Sequence, residues 1–506
     1  MARVRNSIKN ISFSLISQLI TTILSFFLRT ILIETVGIES VALKSLFYEI
    51  VSVLALSELG IGSAIAFNMF RPLKDGDEAK VRALMNFYKK AYRIIALSVF
   101  MLGTAVCFFV PVFVTDIAFD NWYLRLTFML YVTQSALSYL FTYKATLLNC
   151  DQKNYIVTRI TTVIKTIGTL LIILLLWLTK SFVLYIVAEI ILTVLTNVTI
   201  SAKVDRVYPY LKGNEKLPKP EQKKVFSNIK NIFFKSMAGK IVGSTDNMLI
   251  SVLVSTLIVG YYANYTTVIM VFRSIMDACA QGIDASVGNL YVSEKTEKCN
   301  QVINRLSYAF FVASAIFAVG IFVCIQPFIC LWIGSEFLLS ESTVFIICIN
   351  LLLYVMSKPV SAAMHYTGMF DIGRNISIIA AVINLVVSIV LGCFIGINGI
   401  FIGTICVYVF EIAAKSYYLY TKYFKTNPSR YILRMLMYVA GVIALMVLCR
   451  MVVSLVPTGG NLSSFLIGGV ISVGVTVIAI VLSTFYTDNF KYYIKLVGGF
   501  LKKKQR

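Results

Sequence analysis

Runs of about twenty mostly apolar residues, each the length a helix needs to cross the hydrocarbon core of a bilayer, recur from Ile11 to Tyr486 with short polar interruptions. Taken as spanning helices they number fourteen, over approximately 11–33, 41–68, 91–115, 122–148, 157–178, 181–201, 229–256, 258–287, 304–326, 343–366, 375–395, 398–421, 431–454 and 462–485. Lipid is therefore the solvent for most of the chain. Of its 506 residues 58% are hydrophobic and only 14% charged, a balance that a water-soluble domain of this length does not keep in solution. An all-α polytopic membrane protein follows, because helices satisfy their own backbone polar groups where water is absent. The first run is longer than a signal-peptide core and lacks a small-x-small cleavage pattern, so it is expected to stay as a signal anchor.

A net charge of +22 would point to nucleic acid in a soluble protein. Here its distribution points to the positive-inside rule instead. With the N-terminus inside, 34 of the 46 lysines and arginines fall in cytoplasmic segments and only Lys180 in an external loop. The orientation expected is N- and C-termini cytoplasmic. The basic tail from Lys491 to Arg506 then faces anionic lipid headgroups rather than nucleic acid. Ten cysteines are scattered without a C-x-x-C pair or histidines at metal-ligand spacing, which reads as small buried apolar side chains and no metal.

The longest polar interruption, Ser201 to Ser227, carries Pro209, Pro218 and Pro220 among its lysines and arginines. Short patterns repeat on either side of it: Asn10-Ile11-Ser12-Phe13 as Asn231-Ile232-Phe233-Phe234, and Lys153-Asn154 as Arg374-Asn375. Two six-helix lobes in one orientation follow, a parallel pseudo-repeat, with two further helices appended. The organisation expected is an N-terminal lobe over 1–200, a basic cytoplasmic linker over 201–228, a C-terminal lobe over 229–421, and the appended helices and tail over 422–506. Within the connection Arg71 to Arg93, Val81, Leu84, Tyr88 and Tyr92 recur at helical spacing, which suits either a short interfacial helix or a solvated loop.

Two lobes, a proline-containing basic linker, two extra C-terminal helices, the start Asn10-Ile11-Ser12-Phe13-Ser14-Leu15-Ile16-Ser17-Gln18 and the segment Ser57-Glu58-Leu59-Gly60-Ile61-Gly62-Ser63-Ala64 together resemble a known family. The chain is similar to the bacterial polysaccharide flippases, the Wzx-type branch of the multidrug/oligosaccharidyl-lipid/polysaccharide exporter superfamily. That resemblance covers the whole chain and has no short catalytic signature. It implies a V-shaped pair of lobes around a central cavity and transfer of undecaprenyl-diphosphate-linked sugar units to the outer leaflet by alternating access. Polysaccharide assembly proteins would be partners, and Na⁺ or H⁺ a coupling ion in place of a cofactor. Related lipid II flippases place cations in the first, second and eighth helices, where this chain has Arg29, Lys44 and Arg273, Lys44 departing from the usual arginine.

The residues themselves point the same way. Eleven cations and seven acids lie inside the predicted spans, and each would cost roughly 2.5–3.5 kcal/mol at a helix centre facing lipid. Arg125, Lys144, Lys235 and Arg450 sit near span ends as snorkelling anchors. Glu411 and Lys415 are spaced for a local ion pair. At 100° per residue, Ser14, Gln18, Thr21, Ser25 and Arg29 stripe helix one; Lys44, Tyr48, Ser52 and Glu58 stripe helix two; Tyr262, Thr266, Arg273, Asp277 and Asp284 stripe helix eight. Arg29, Lys240 and Arg273 lie furthest from the cytoplasmic surface, so these with Lys44 are the candidates for binding a diphosphate. Glu58, Asp246, Asp277 and Asp284 are candidates for coupling or gating, with Arg273 expected to pair with Asp277 in the empty carrier. Gly239 and Gly243 form a helix-packing G-x-x-x-G; Pro359 is expected to kink helix ten; His365 falls at a cytoplasmic helix end.

An enzyme is disfavoured. Asp75-Gly76-Asp77 has the D-x-D form of some glycosyltransferases but sits in a polar turn, the longest external loop is too small to build a polymerase site, and no G-x-x-x-x-G-K-[ST] loop is present for ATP. An ion-coupled multidrug exporter of the same superfamily is the nearer alternative; its cationic substrates would favour an acidic cavity, against an excess of cations here.

Overall fold

The computed structural model describes residues 2–55, 61–223, 225, 245–293, 296–456 and 460–504, and their regular elements are helices. Through the N-terminal half these are Ala2–Leu54 (α1), Ile61–Asp75 (α2), Glu78–Cys107 (α3), Val110–Phe113 (α4), Asn121–Cys150 (α5), Asn154–Thr179 (α6), Phe182–Val207 (α7) and Asp246–Leu253 (α8). Then come Thr256–Ser293 (α9), Thr296–Trp332 (α10), Glu341–Tyr366 (α11), Phe370–Ile395 (α12), Ile397–Tyr418 (α13), Ser429–Ser454 (α14), Asn461–Thr484 (α15) and Asp488–Lys504 (α16), with a π-helical turn Leu419–Phe424 after α13. Ten helices among the described residues are long and apolar enough to cross a membrane, α1 holding the first expected span and the start of the second. The more polar α5 and α9 fall where spans four and eight were expected. Span seven is described only from residue 245.

The chain divides into two compact units, Met1–Ala263 and Asn264–Arg506. In the first, α1 breaks at Gly37, whose φ of 80° and ψ of 163° suit a residue without a side chain. A Cβ there would also lie 2.5 Å from the Glu39 carboxylate. Of the span expected over 41–68, α1 covers 41–54 and α2, which runs through Pro72, covers it from Ile61; residues 56–60 lie outside the described residues. Exposed Leu170, Leu174 and Trp177 on α6 form an apolar strip of the kind that faces acyl chains.

The start of α3 corrects one expectation. Val81, Leu84, Tyr88 and Tyr92 form neither a loop nor a separate interfacial helix; they are the buried face of the first four turns of α3. Asp77 caps that helix by accepting from the Lys80 N–H at 2.9 Å, which explains the D-x-D pattern structurally. What buries the face includes the linker. Arg82 pairs with Glu215 at 2.6 Å, Lys80 with Glu221 at 3.2 Å, and Asn86 donates to the carbonyls of Gly213 and Glu215. Leu217 and Val225 insert beneath these contacts. Burial and then the hydrogen bond it donates to Asp151 push the Tyr208 hydroxyl up, so it remains a donor at neutral pH.

In the second unit, α12 and α13 meet backbone to backbone. A Cβ on Gly399 would strike the Leu391 carbonyl, and one on Gly403 would strike Ser388. The appended α15 packs on α10, with Gly468 against Val323. Pro359 lies inside α11, which ends at Tyr366 with His365 exposed in its last turn against Tyr366 and Phe370. Gly239 and Gly243 lie outside the described residues.

Candidate functional site

Each unit gathers charges around one tyrosine. In the first, Lys44 follows the Gly37 break on α1, and its ammonium donates to the Tyr185 hydroxyl and to Glu189 at 3.1 Å, both on α7. Tyr185 in turn donates to Glu189, one turn further along the same helix. Arg29 is within electrostatic reach of the same hydroxyl. On one straight helix Arg29 and Lys44, fifteen positions apart, would be about 22 Å from each other. The helix changes direction at Gly37 between the two, with Lys44 bonded to Tyr185 and Arg29 within its electrostatic reach. Phe182 stacks on Tyr185, which is fully buried.

In the second unit the tyrosine is Tyr354 on α11. Its hydroxyl donates to the Asp277 carboxylate of α9 at 2.8 Å and accepts from Lys358, one turn along α11, at 2.8 Å. Lys358 and Asp277 also pair directly at 2.7 Å. Both cations in the cluster stand against the tyrosine ring, Lys358 Nζ 4.0 Å and Arg273 Cζ 4.6 Å from its centroid. The pairing expected between Arg273 and Asp277 is thus replaced: the carboxylate turns to Lys358, and the guanidinium stacks on the ring. Arg273 Nε is buried without a hydrogen-bond partner, and the guanidinium has no ion partner among the described residues.

Other candidates are placed differently. Asp246 opens α8, beside Asn247, whose backbone N–H and side-chain amide both donate to Glu49, at 3.0 and 2.7 Å; Glu49 therefore caps a helix start from inside the bundle. Lys240 and Glu58 lie outside the described residues, and so does the side chain of Asp284, whose backbone belongs to α9. Glu411 and Lys415 form their local pair at 2.9 Å, with Lys415 also donating to Ser361. Lys144 and Arg450, read as anchors, hold Asp205 and Glu341 at 2.7 and 2.6 Å. Lys235 is outside the described residues. On helix one, Gln18 and Ser25 remain exposed, as a polar stripe facing water would. Among the described residues no three His, Cys, Asp or Glu side chains come together as a metal site.

Sequence reasoning missed Tyr185, Glu189, Tyr354 and Lys358 as site residues. A signal was there: in each case a tyrosine precedes a charged residue by one helical turn inside an apolar run, Tyr185-x-x-x-Glu189 and Tyr354-x-x-x-Lys358.

No protein-family model and no curated protein matches the sequence. Solved structures do match it. The lipid II flippase MurJ in an inward closed conformation aligns with a TM-score of 0.72 at 15% identity, over 94% of this chain and 99% of that one. An inward-facing multidrug resistance MATE family transporter of the MOP superfamily gives 0.63 at 13% identity, over 83% of this chain and 95% of that one. The Vibrio cholerae MATE transporter VcmN gives 0.57 at 13% identity, over 83% and 99%. At these identities the likeness is one of fold, and the chain has the polytopic helical fold that MurJ and MATE transporters share.

Proposed function

We propose that this protein is a flippase of the bacterial cytoplasmic membrane, not an enzyme, and that it moves undecaprenyl-diphosphate-linked oligosaccharide repeat units to the outer leaflet by alternating access for cell-surface polysaccharide synthesis. The observation that carries the reading is Arg273. A guanidinium on a helix expected to span the bilayer, with the nearest carboxylate already held by a lysine, is a binding group for an anion that arrives with the substrate. Arg29, Lys44 and Lys240 would serve the same anion, Na⁺ or H⁺ would drive the return, and polysaccharide assembly proteins would receive the product. The MATE likeness favours one second reading, an exporter of cationic drugs. Against it, Asp277 is occupied by Lys358.

Depletion of the protein separates the two readings. Lipid-linked diphosphate oligosaccharides should accumulate on the cytoplasmic side, and wild type but not Arg273→Ala should clear them at equal abundance in the membrane. Clearance by Arg273→Ala would remove the support for an anion site. Orientation is tested by Gly213→Cys, which should resist a membrane-impermeant thiol reagent in intact cells while Gly37→Cys reacts.

A further inference from the structure

The cluster around Tyr354 has two cations and one carboxylate. Lys358 and Arg273 both stand against the ring, and Asp277 answers only Lys358. The local charge balance is therefore +1 among these side chains. The Lys358–Asp277 pair also differs from the Lys415–Glu411 pair of the same unit. Lys415 and Glu411 belong to one helix and are 11% and 17% exposed, and Lys415 also donates to the Ser361 hydroxyl; Lys358 and Asp277 come from different helices and are 27% and 36% exposed. A pair buried on its own helix has no route to exchange its partner. An open pair between two helices, with a second cation adjacent, does.

We infer that Lys358 is a second anion-binding residue beside Arg273, and that Asp277 is its resident counter-ion, displaced when a diphosphate binds. This rests on the anion-transport reading above and adds a residue and an exchange to it. A diphosphate carries enough charge to answer both cations at once, which a single carboxylate cannot. On displacement Asp277 keeps the Tyr354 hydroxyl as a donor, so the carboxylate is not left bare. Binding would break the Lys358–Asp277 pair and bridge Arg273 of α9 to Lys358 of α11 through the ligand, while the Tyr354–Asp277 bond stays. The ligand thereby acquires different affinities for the arrangements with and without that pair, as any ligand that shifts a conformational equilibrium must.

The test uses the full chain purified in detergent, with farnesyl diphosphate and inorganic pyrophosphate as probes and titration calorimetry as the readout. Asp277→Asn should bind farnesyl diphosphate at least threefold more tightly than wild type, because a competitor for Lys358 has gone. Lys358→Gln should bind at least tenfold more weakly, Lys358→Arg should retain most of the affinity, and adding Asp277→Asn to Lys358→Gln should give no gain. In unmutated protein, pyrophosphate should protect Lys358 but not Lys415 from reductive methylation, a measurement that stands if a variant fails to fold. Binding that needs Arg273 but is indifferent to both Lys358 and Asp277, or Lys358 left unprotected, overturns this inference alone. No binding of either probe by wild type overturns the anion reading and this inference with it.

Discussion

The Tyr185 cluster of the first unit and the Tyr354 cluster of the second use the same parts. Each has a lysine, a carboxylate, a tyrosine hydroxyl hydrogen-bonded to both, and an arginine nearby. They differ in how the parts are delivered. In the first, Tyr185 and Glu189 share a helix, and the cations come from α1 on either side of its break at Gly37. In the second, Arg273 and Asp277 are one turn apart on α9, Tyr354 and Lys358 one turn apart on α11, and the tyrosine is only half-buried. Tyr185 is fully buried beside Phe182 and Tyr354 is half-buried, so an anion reaches the tyrosine of the second cluster more readily than that of the first.

The comparison breaks most visibly at Arg273. Its replacement by alanine removes a charge-assisted contact of about 2–3 kcal/mol, so farnesyl diphosphate affinity should fall about a hundredfold in calorimetry with the melting temperature little changed. Lysine at that position should recover part of the loss, since the charge survives although the planar fork does not. A change confined to melting temperature would make the two clusters alike.

Next in size is Lys44→Met. Removing one partner of a largely buried pair leaves Glu189 uncompensated, at a cost of about 2 kcal/mol or more. Thermal unfolding should show that loss, and Glu189→Gln added to it should restore part of the stability. Lys358→Met should cost less, because Asp277 is 36% exposed against 22% for Glu189 while each carboxylate keeps a tyrosine donor. Equal losses would mean that exposure does not distinguish the pairs.

Gly37→Ala should cost on the order of 1 kcal/mol, the strain of a side chain at a positive φ with extended ψ. It acts on the first cluster alone. Melting should shift and diphosphate affinity should fall with it, because Gly37 positions Arg29 and Lys44; affinity held within twofold would confine the anion to the second cluster. The smallest effect expected is that of salt. Raising NaCl from 50 to 500 mM should weaken diphosphate binding about threefold through screening of half-open charges, with stability of the Tyr185 cluster unmoved.

Much of this molecule was legible along the chain. The apolar runs give the polytopic helical fold, the one-turn pair Glu411–Lys415 forms as spacing requires, and Tyr262, Thr266, Arg273 and Asp277 do lie on one helix, because each depends on residues within a few turns of one another. The α3 face was legible as helical but not as buried, since what covers it, including Glu215 and Leu217, lies more than a hundred residues away.

Which cation answers which carboxylate was not legible. Spacing alone favours Arg273 with Asp277 on the same helix, and a neighbour on α11 wins because Lys358 comes within 2.7 Å with Tyr354 between them. Sequence by itself determined that the charges lie within apolar helices, since hydropathy and helical period are properties of contiguous residues. Only the tertiary structure decided their partners, because an ion pair forms where two helices put donor and acceptor within about 3 Å, and no local pattern encodes that distance.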